Sequence, residues 1–428
     1  MLRHATRGAL VGLTGAMLAS TRPALAEPGD HIGNDNVELI PSLALTTQQR
    51  SNVFLQEGAV GGGEETTPGT NLRIQPSLTL KAESADVLFG FSGGYTARKY
   101  FQSEITNLDR YRDFDLRGNL YLLRKLSDRF QINGFESEAD KADNPYIQVL
   151  SNDLGGRLAV RPGTSLDLDL GGDLSITNYS GPGDVDSSFV RTGQNDRLGY
   201  GPAIDLKWRF LPKTAIVGSW STEWFTWSNN VIEPTGTDAA LGIPNGREMR
   251  FEGGLRGRFT EKLVLGLTAG YGTAIYDETS VTDAPGGDQA TGDFTTDVKG
   301  LPGLILGADA SYSLTESQTF AVGYRKDFQD VFFTNFVAYN RFSASYSGTF
   351  AARYRVELSG NYRYEDYDGV VDRNDHRIIT SGGLTYIATK YLDVSLGGGW
   401  RRRASADRLN PDIEFDDLDV RLGVRFTY

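Results

Sequence analysis

From about Asn36 to the C-terminus, apolar and polar residues alternate at every second position in segments of roughly ten residues, the period of strands with two unlike faces. The last segment is the clearest. Leu418, Val420, Leu422, Val424, Phe426 and Tyr428 share one face, while Asp419, Arg421, Gly423, Arg425 and Thr427 share the other. Its length of about 11 residues is what a tilted strand needs to cross hydrocarbon. Likewise, Tyr354, Val356, Leu358, Gly360, Tyr362 and Tyr364 alternate with Arg353, Arg355, Glu357, Ser359, Asn361 and Arg363. Met249, Phe251, Leu255 and Phe259 alternate with Arg250, Glu252, Arg256 and Arg258, and Leu166, Leu168 and Leu170 with Asp167 and Asp169. No segment has a convincing helical period. Alternation alone would also suit a water-soluble sandwich whose ionic face meets solvent.

The connections favour a membrane. Short turns are expected at Lys81 to Asp86, Lys125 to Arg129, Arg161 to Thr164, Phe210 to Thr214, Phe259 to Lys262, Leu314 to Ser317, Ser347 to Thr349 and Ile387 to Lys390. Between them lie longer connections rich in Gly, Asp, Asn and Pro, such as Gly181 to Asn195, Asn229 to Gly246 and Asp277 to Gly300. Short turns on one side and long loops on the other are the habit of outer-membrane barrels. Aromatic residues crowd the strand ends, as at Trp208, Phe210, Trp224, Trp227, Tyr362, Tyr364 and Tyr428, where rings with a polar edge suit the headgroup level. The expected fold is all-β, a transmembrane antiparallel up-and-down β-barrel of about 18 strands starting with Val37 to Thr47, with 16 as the alternative because Pro41 interrupts that first segment.

Composition agrees with one large repeated object. The chain of 428 residues holds 51 glycines, 20 tyrosines and 22 phenylalanines but 3 methionines and no cysteine, which removes disulfides and thiolate chemistry. Mean hydropathy is negative, at −0.35, which a barrel tolerates because alternate residues face its lumen. A net charge of −12 argues against a nucleic-acid partner. Arg3 and Arg7, the apolar run Gly8 to Ala19 and the small-x-small triplet Ala24-Leu25-Ala26 predict a signal peptide over 1–26, a short periplasmic tail over 27–35 and the barrel over 36–428.

Candidate chemistry is sparse, and no enzyme activity, metal or cofactor is expected. After signal removal only His31 and His376 remain; His376, with Ser381 five residues on, lacks the orienting partners of a nucleophilic triad. The acidic turn Gly183-Asp184-Val185-Asp186 has no recognised ligand spacing and suits solvated turn residues. The informative groups are the charges expected to face the lumen: Arg250, Arg256, Arg258, Arg353, Arg355, Arg363, Arg421 and Arg425, with Asp113, Asp115, Asp167, Asp169, Glu252, Glu357 and Asp419. They would form cross-strand ion pairs, set pore selectivity, or both. The strand around Arg353 and Arg355 and the closing strand are arginine-heavy, which suggests one basic sector that contacts anionic solute or sugar.

The closing run from Leu418 to Tyr428 resembles the signal that directs barrels to the outer-membrane assembly machinery. With turns such as Phe210-Leu211-Pro212-Lys213-Thr214 and Ile387-Ala388-Thr389-Lys390-Tyr391-Leu392, nearly the whole mature chain is similar to the β-barrel porin type 2 group of Proteobacteria. The resemblance implies residence among outer-membrane lipids of a Gram-negative bacterium. Since some similar barrels accompany exopolysaccharide export, it also implies a polysaccharide-export partner in the periplasm. The function expected is a channel for polar solutes or for an exported exopolysaccharide. A non-conducting structural or adhesive barrel is the alternative, disfavoured because side chains alone do not fill so wide an interior. A soluble periplasmic β-protein is the third.

Overall fold

The computed structural model describes residues 32–34, 36–53, 68–84, 87–102, 112–123, 129–141, 148–180, 196–228, 245–276, 303–331, 334–368, 373–405 and 414–428. The signal segment, His31, the acidic turn at 183–186, and most of the long loops at 181–195, 229–246 and 277–300 lie outside these residues, as does most of the turn at 125–129.

The strands are β1 (Ile32–Asn34), β2 (Val37–Arg50), β3 (Gly69–Glu83), β4 (Val87–Tyr100), β5 (Arg112–Leu123), β6 (Arg129–Lys141), β7 (Gln148–Val160), β8 (Leu166–Ser180), β9 (Arg197–Leu211) and β10 (Thr214–Trp227). They continue as β11 (Gly246–Arg258), β12 (Leu263–Tyr276), β13 (Leu304–Thr315), β14 (Gln318–Val331), β15 (Thr334–Phe350), β16 (Tyr354–Asp368), β17 (Arg373–Thr389), β18 (Leu392–Ser405) and β19 (Phe415–Thr427). Each strand from β2 onward pairs antiparallel with the next. The register from Asp419↔Arg50 to Thr427↔Ser42 joins β19 to β2, so the ring of pairings returns to its start. Of the 19 strands in the sheet, the short β1 pairs only with β2 among the described residues, which leaves 18 in the ring. The first strand expected over 37–47 runs to Arg50, and Pro41 sits inside it. Ile32–Asn34, within the segment expected to be a tail, pairs back on β2, with Gly33 at φ 154° where a Cβ would strike the Val37 carbonyl.

Most expected short turns fall where the sequence places them. One does not: Ser347-Gly348-Thr349 lies inside β15, and the chain reverses at Ala351 and Ala352, with Arg353 N–H donating to the Phe350 carbonyl at 3.1 Å. Both alanines have positive φ, 49° and 55°, as a type I′ hairpin requires, yet alanine gives no sequence signal for it. Arg353, expected on a strand facing the lumen, therefore sits exposed in this turn.

The two faces of the ring are chemically opposite. Leu267 is 61% exposed and Leu422 57%, and with Leu255, Leu358, Leu396, Phe251 and Phe342 they form an apolar exterior. Free in water, an apolar surface of this extent would be costly at roughly 25 cal/mol per Å². The buried residues include Gln48, Glu248, Asp327, Glu365, Asp375, Arg377, Asp417 and Asp419, all on lumen-facing positions of their strands. The sheet is thus inside-out relative to a soluble sandwich.

Candidate functional site

The candidate site is the lumen wall, and register assembles it. Arg325 on β14 faces Arg341 on β15, Arg341 faces Arg363 on β16, Arg363 faces Arg377 on β17, and Arg377 faces Arg403 on β18. Five arginines thus lie side by side along one arc of the wall. Like charges directly opposite each other are unfavourable, so the neighbouring row matters. One pleat nearer the long loops, Asp327, Tyr339, Glu365 and Asp375 form the matching row.

Ion pairs stitch the two rows together. Arg325 Nη2 lies 2.8 Å from Asp327 and Arg363 Nε 2.9 Å from Glu365, which Arg377 also approaches at 3.6 Å. Arg403 pairs with Asp375, and its Nη2 also donates to the Tyr367 hydroxyl at 3.3 Å. Tyr367 in turn donates to Glu365 at 2.8 Å, and the Arg363 guanidinium stacks 3.9 Å over the Tyr339 ring. Arg341 makes no ion pair with a described residue. Farther round, Asp417 joins Arg50 across the β19–β2 seam and Arg401 on β18, both at 2.9 Å, and Arg421 grips Asp419 at 2.5 Å.

Burial is graded along the axis. Toward the long loops, Glu365, Asp375 and Asp417 have no exposed surface. Toward the short turns, Glu357, Ser359, Ser381, Arg421 and Arg425 are exposed, and Ser359 and Ser381 exchange a hydrogen bond at 2.7 Å. Inward side chains are thus packed more closely in the long-loop half of the wall than toward the short turns.

The expected lumen residues are placed as follows. Arg250, Glu252, Arg256 and Arg258 fall on the lumen face of β11, Arg355, Glu357 and Arg363 on that of β16, and Asp419, Arg421 and Arg425 on that of β19. On β8, Asp167 pairs with Arg161 at 3.2 Å and with Arg209, while Asp169 stands opposite Asp205. Arg353 is outside the set, in its turn, whereas Arg355, Arg421 and Arg425 of the expected basic sector do lie on the lumen face; the five-arginine row from Arg325 to Arg403 adds to them. The side chains of Asp113 and Asp115, on β5, lie outside the described residues. Sequence reasoning missed Arg325, Arg341, Asp327, Glu365, Asp375, Arg377 and Arg403; alternation would mark each as inward, but nothing short of register lines them up.

Two further placements differ from expectation. Trp227, expected at the headgroup level, is 5% exposed on the lumen side beneath Arg197, whose guanidinium stands 5.8 Å from its ring and 5.3 Å from that of Phe225. His376 is exposed between Tyr362 and Tyr364, its Nδ1 2.8 Å from the Tyr362 hydroxyl and its ring 5.2 Å from that of Tyr364. That position is on the aromatic exterior, whereas Ser381 lies on the lumen face of the same strand.

An antiparallel up-and-down sheet that closes by pairing, apolar outside and ionic inside, is a porin-type β-barrel, the class that the resemblance in the sequence implies. Neither a family model nor a curated protein matches the chain. Among solved structures it is similar to a BenF-like porin from Pseudomonas fluorescens Pf-5, at 11% identity over 92% of this chain and 99% of that one, with a TM-score of 0.48. It is also similar to OccAB4 of Acinetobacter baumannii, at 12% identity over 92% and 99% with a TM-score of 0.47, and to OpdK of Pseudomonas aeruginosa, solved with vanillate, at 11% over 91% and 99% with a TM-score of 0.45. At these identities the likeness is one of fold.

Proposed function

We propose that the chain is an outer-membrane channel through which polar solutes pass along a charge-lined lumen. The observation that carries this is the opposition of the two faces of one closed sheet: Leu422 and Leu267 outward, Asp419 and Arg250 inward. A ring of 18 strands is of the size that leaves an aqueous passage. The arginine arc holds five cations against Asp327, Glu365 and Asp375, so this stretch favours anionic solutes, as charged rings do in channels. Export of an exopolysaccharide is the finer form of the same proposal. The register row Ser345, Ser359, Ser381 supports it by offering hydroxyls to a polyhydroxylated chain.

The test is reconstitution of the purified, heat-modifiable barrel in planar bilayers. Discrete conductance steps are expected; a folded barrel that never conducts would instead be a structural or adhesive one. For the finer form, a deletion strain that retains polymer inside the cell supports export, and unchanged polymer secretion removes it.

A further inference from the structure

The upper part of β14 does not follow the wall. Phe320 and Val322 on this strand point outward, 42% and 41% exposed, and by alternation Phe328 belongs on the same face. Instead Phe328 is 2% exposed, and its ring lies against the lumen side of Gly272 on β12, where a Cβ would stand 2.3 Å from Cε1. Gly272 is the register partner of Arg250, so this contact is inside the barrel. Beside it, Ile305 on the intervening β13 has no exposed surface.

The described pairing changes at this point. The β13–β14 register stops at Leu306↔Lys326, whereas β14 goes on pairing with β15 as far as Val331↔Thr334. Beyond Lys326 the hairpin has no wall strand on its β13 side among the described residues. It folds over the short β13 into the lumen, laying its outer face on the inner face of β12.

Arg250 holds it there. From β11 this side chain donates to Asp327 at 2.7 Å and to the Phe328 carbonyl at 2.6 Å, and its guanidinium caps the Phe328 ring at 4.7 Å. A second clamp lies below, where Arg325 makes two bonds to Glu252, at 2.5 and 2.6 Å. The bed between the clamps is made of small residues; at Gly270 a Cβ would meet the Phe251 carbonyl at 2.1 Å.

Resting on the channel reading above, we propose that this infolded β14–β15 hairpin is the channel's constriction element, and that Arg250 and Phe328 set the size limit for solutes by holding it against the inner wall. Porins commonly narrow their lumen with a long inward loop. Here a strand hairpin, anchored on both its backbone and its side chains, does the same work.

Two variants test it: Phe328→Ala, and the double Arg250→Gln with Asp327→Asn, which removes the Arg250–Asp327 pair as a unit while Glu252 still holds Arg325. A third, in which Asn-Gly joins Gln329 directly to Val337, removes the tip itself. Each is checked for heat-modifiable migration and then measured for unit conductance and for liposome swelling with arabinose, maltose and raffinose. A several-fold rise in conductance, with raffinose entry gained, is expected of each variant, largest for the tip deletion. Folded variants that keep the parent conductance and sugar cut-off would overturn the constriction while leaving the channel intact. If the parent and all variants are folded and silent, the channel reading itself fails, and the constriction with it.

Discussion

Arg250 and Asp327 meet at 2.7 Å although their strands, β11 and β14, are separated in the wall by β12 and β13. The upper end of β14 folds over β13, and Gly270, Gly272 and Gly307 on the lumen faces of β12 and β13 leave it room. The pair is shared: Glu248 holds Arg250 from the other side, and Arg325 holds Asp327. Removing one partner of an unshared buried pair costs roughly 3–5 kcal/mol, and here the second partners keep the cost toward the lower end. Arg250→Gln and Asp327→Asn are each expected to destabilise the barrel by that order, and the double variant by clearly less than the sum of the two. A double-mutant cycle from urea unfolding in lipid vesicles measures the coupling; strict additivity would show that the two residues do not interact.

Gly272 leads to a second expectation. A methyl group there would meet the Phe328 ring and Ile305 Cδ1, and neither has room to withdraw. Gly272→Ala should therefore cost about 1–3 kcal/mol through overpacking. Phe328→Leu, combined with it, should recover part of the loss in the same unfolding assay.

The hairpin at Ala351 and Ala352 should be improvable. Two non-glycine residues with positive φ carry strain of about 1–2 kcal/mol each. Ala351→Asn with Ala352→Gly supplies the pair that a type I′ turn prefers and should stabilise the barrel by about 1 kcal/mol or more, read as a higher urea midpoint with an unchanged slope.

Placement of the aromatic residues gives a direct test of the membrane face. Trp208 and Trp224 are 47% and 38% exposed on the exterior, Trp220 and Trp400 share that face, and Trp227 is buried inside. A variant keeping only Trp208 should lose its fluorescence in vesicles of brominated lipid, whereas one keeping only Trp227 should not. Equal quenching of the two would contradict the assignment of faces.

Selectivity should respond to the arc and not to the turn. Arg341 lies in the arginine row without a carboxylate partner among the described residues, and Arg353 lies in the β15–β16 turn. Arg341→Glu is expected to shift the reversal potential of a salt gradient toward cation preference, with Arg353→Glu changing it little. The opposite ranking would return the basic sector to the turn.

Much of the architecture is written in the chain as local pattern. A period of two in segments such as Leu418 to Tyr428 is enough to state a strand with one apolar and one ionic face, and repetition with short and long connections is enough for an even-numbered barrel. The inward sense of Arg250, Glu252, Arg363 and Asp419 follows from the same alternation. Register does not. It is chosen by hydrogen bonds between segments far apart in sequence, so the row of Arg325, Arg341, Arg363, Arg377 and Arg403 is invisible until the strands are laid side by side. Nor could alternation foresee Phe328 turning into the lumen or Ala351 and Ala352 turning left-handed. The first comes where the described β13–β14 pairing stops while β14 goes on with β15, and the second from where the β15–β16 register places the reversal; both are properties of the paired sheet, set by neighbours that a single strand's sequence does not contain.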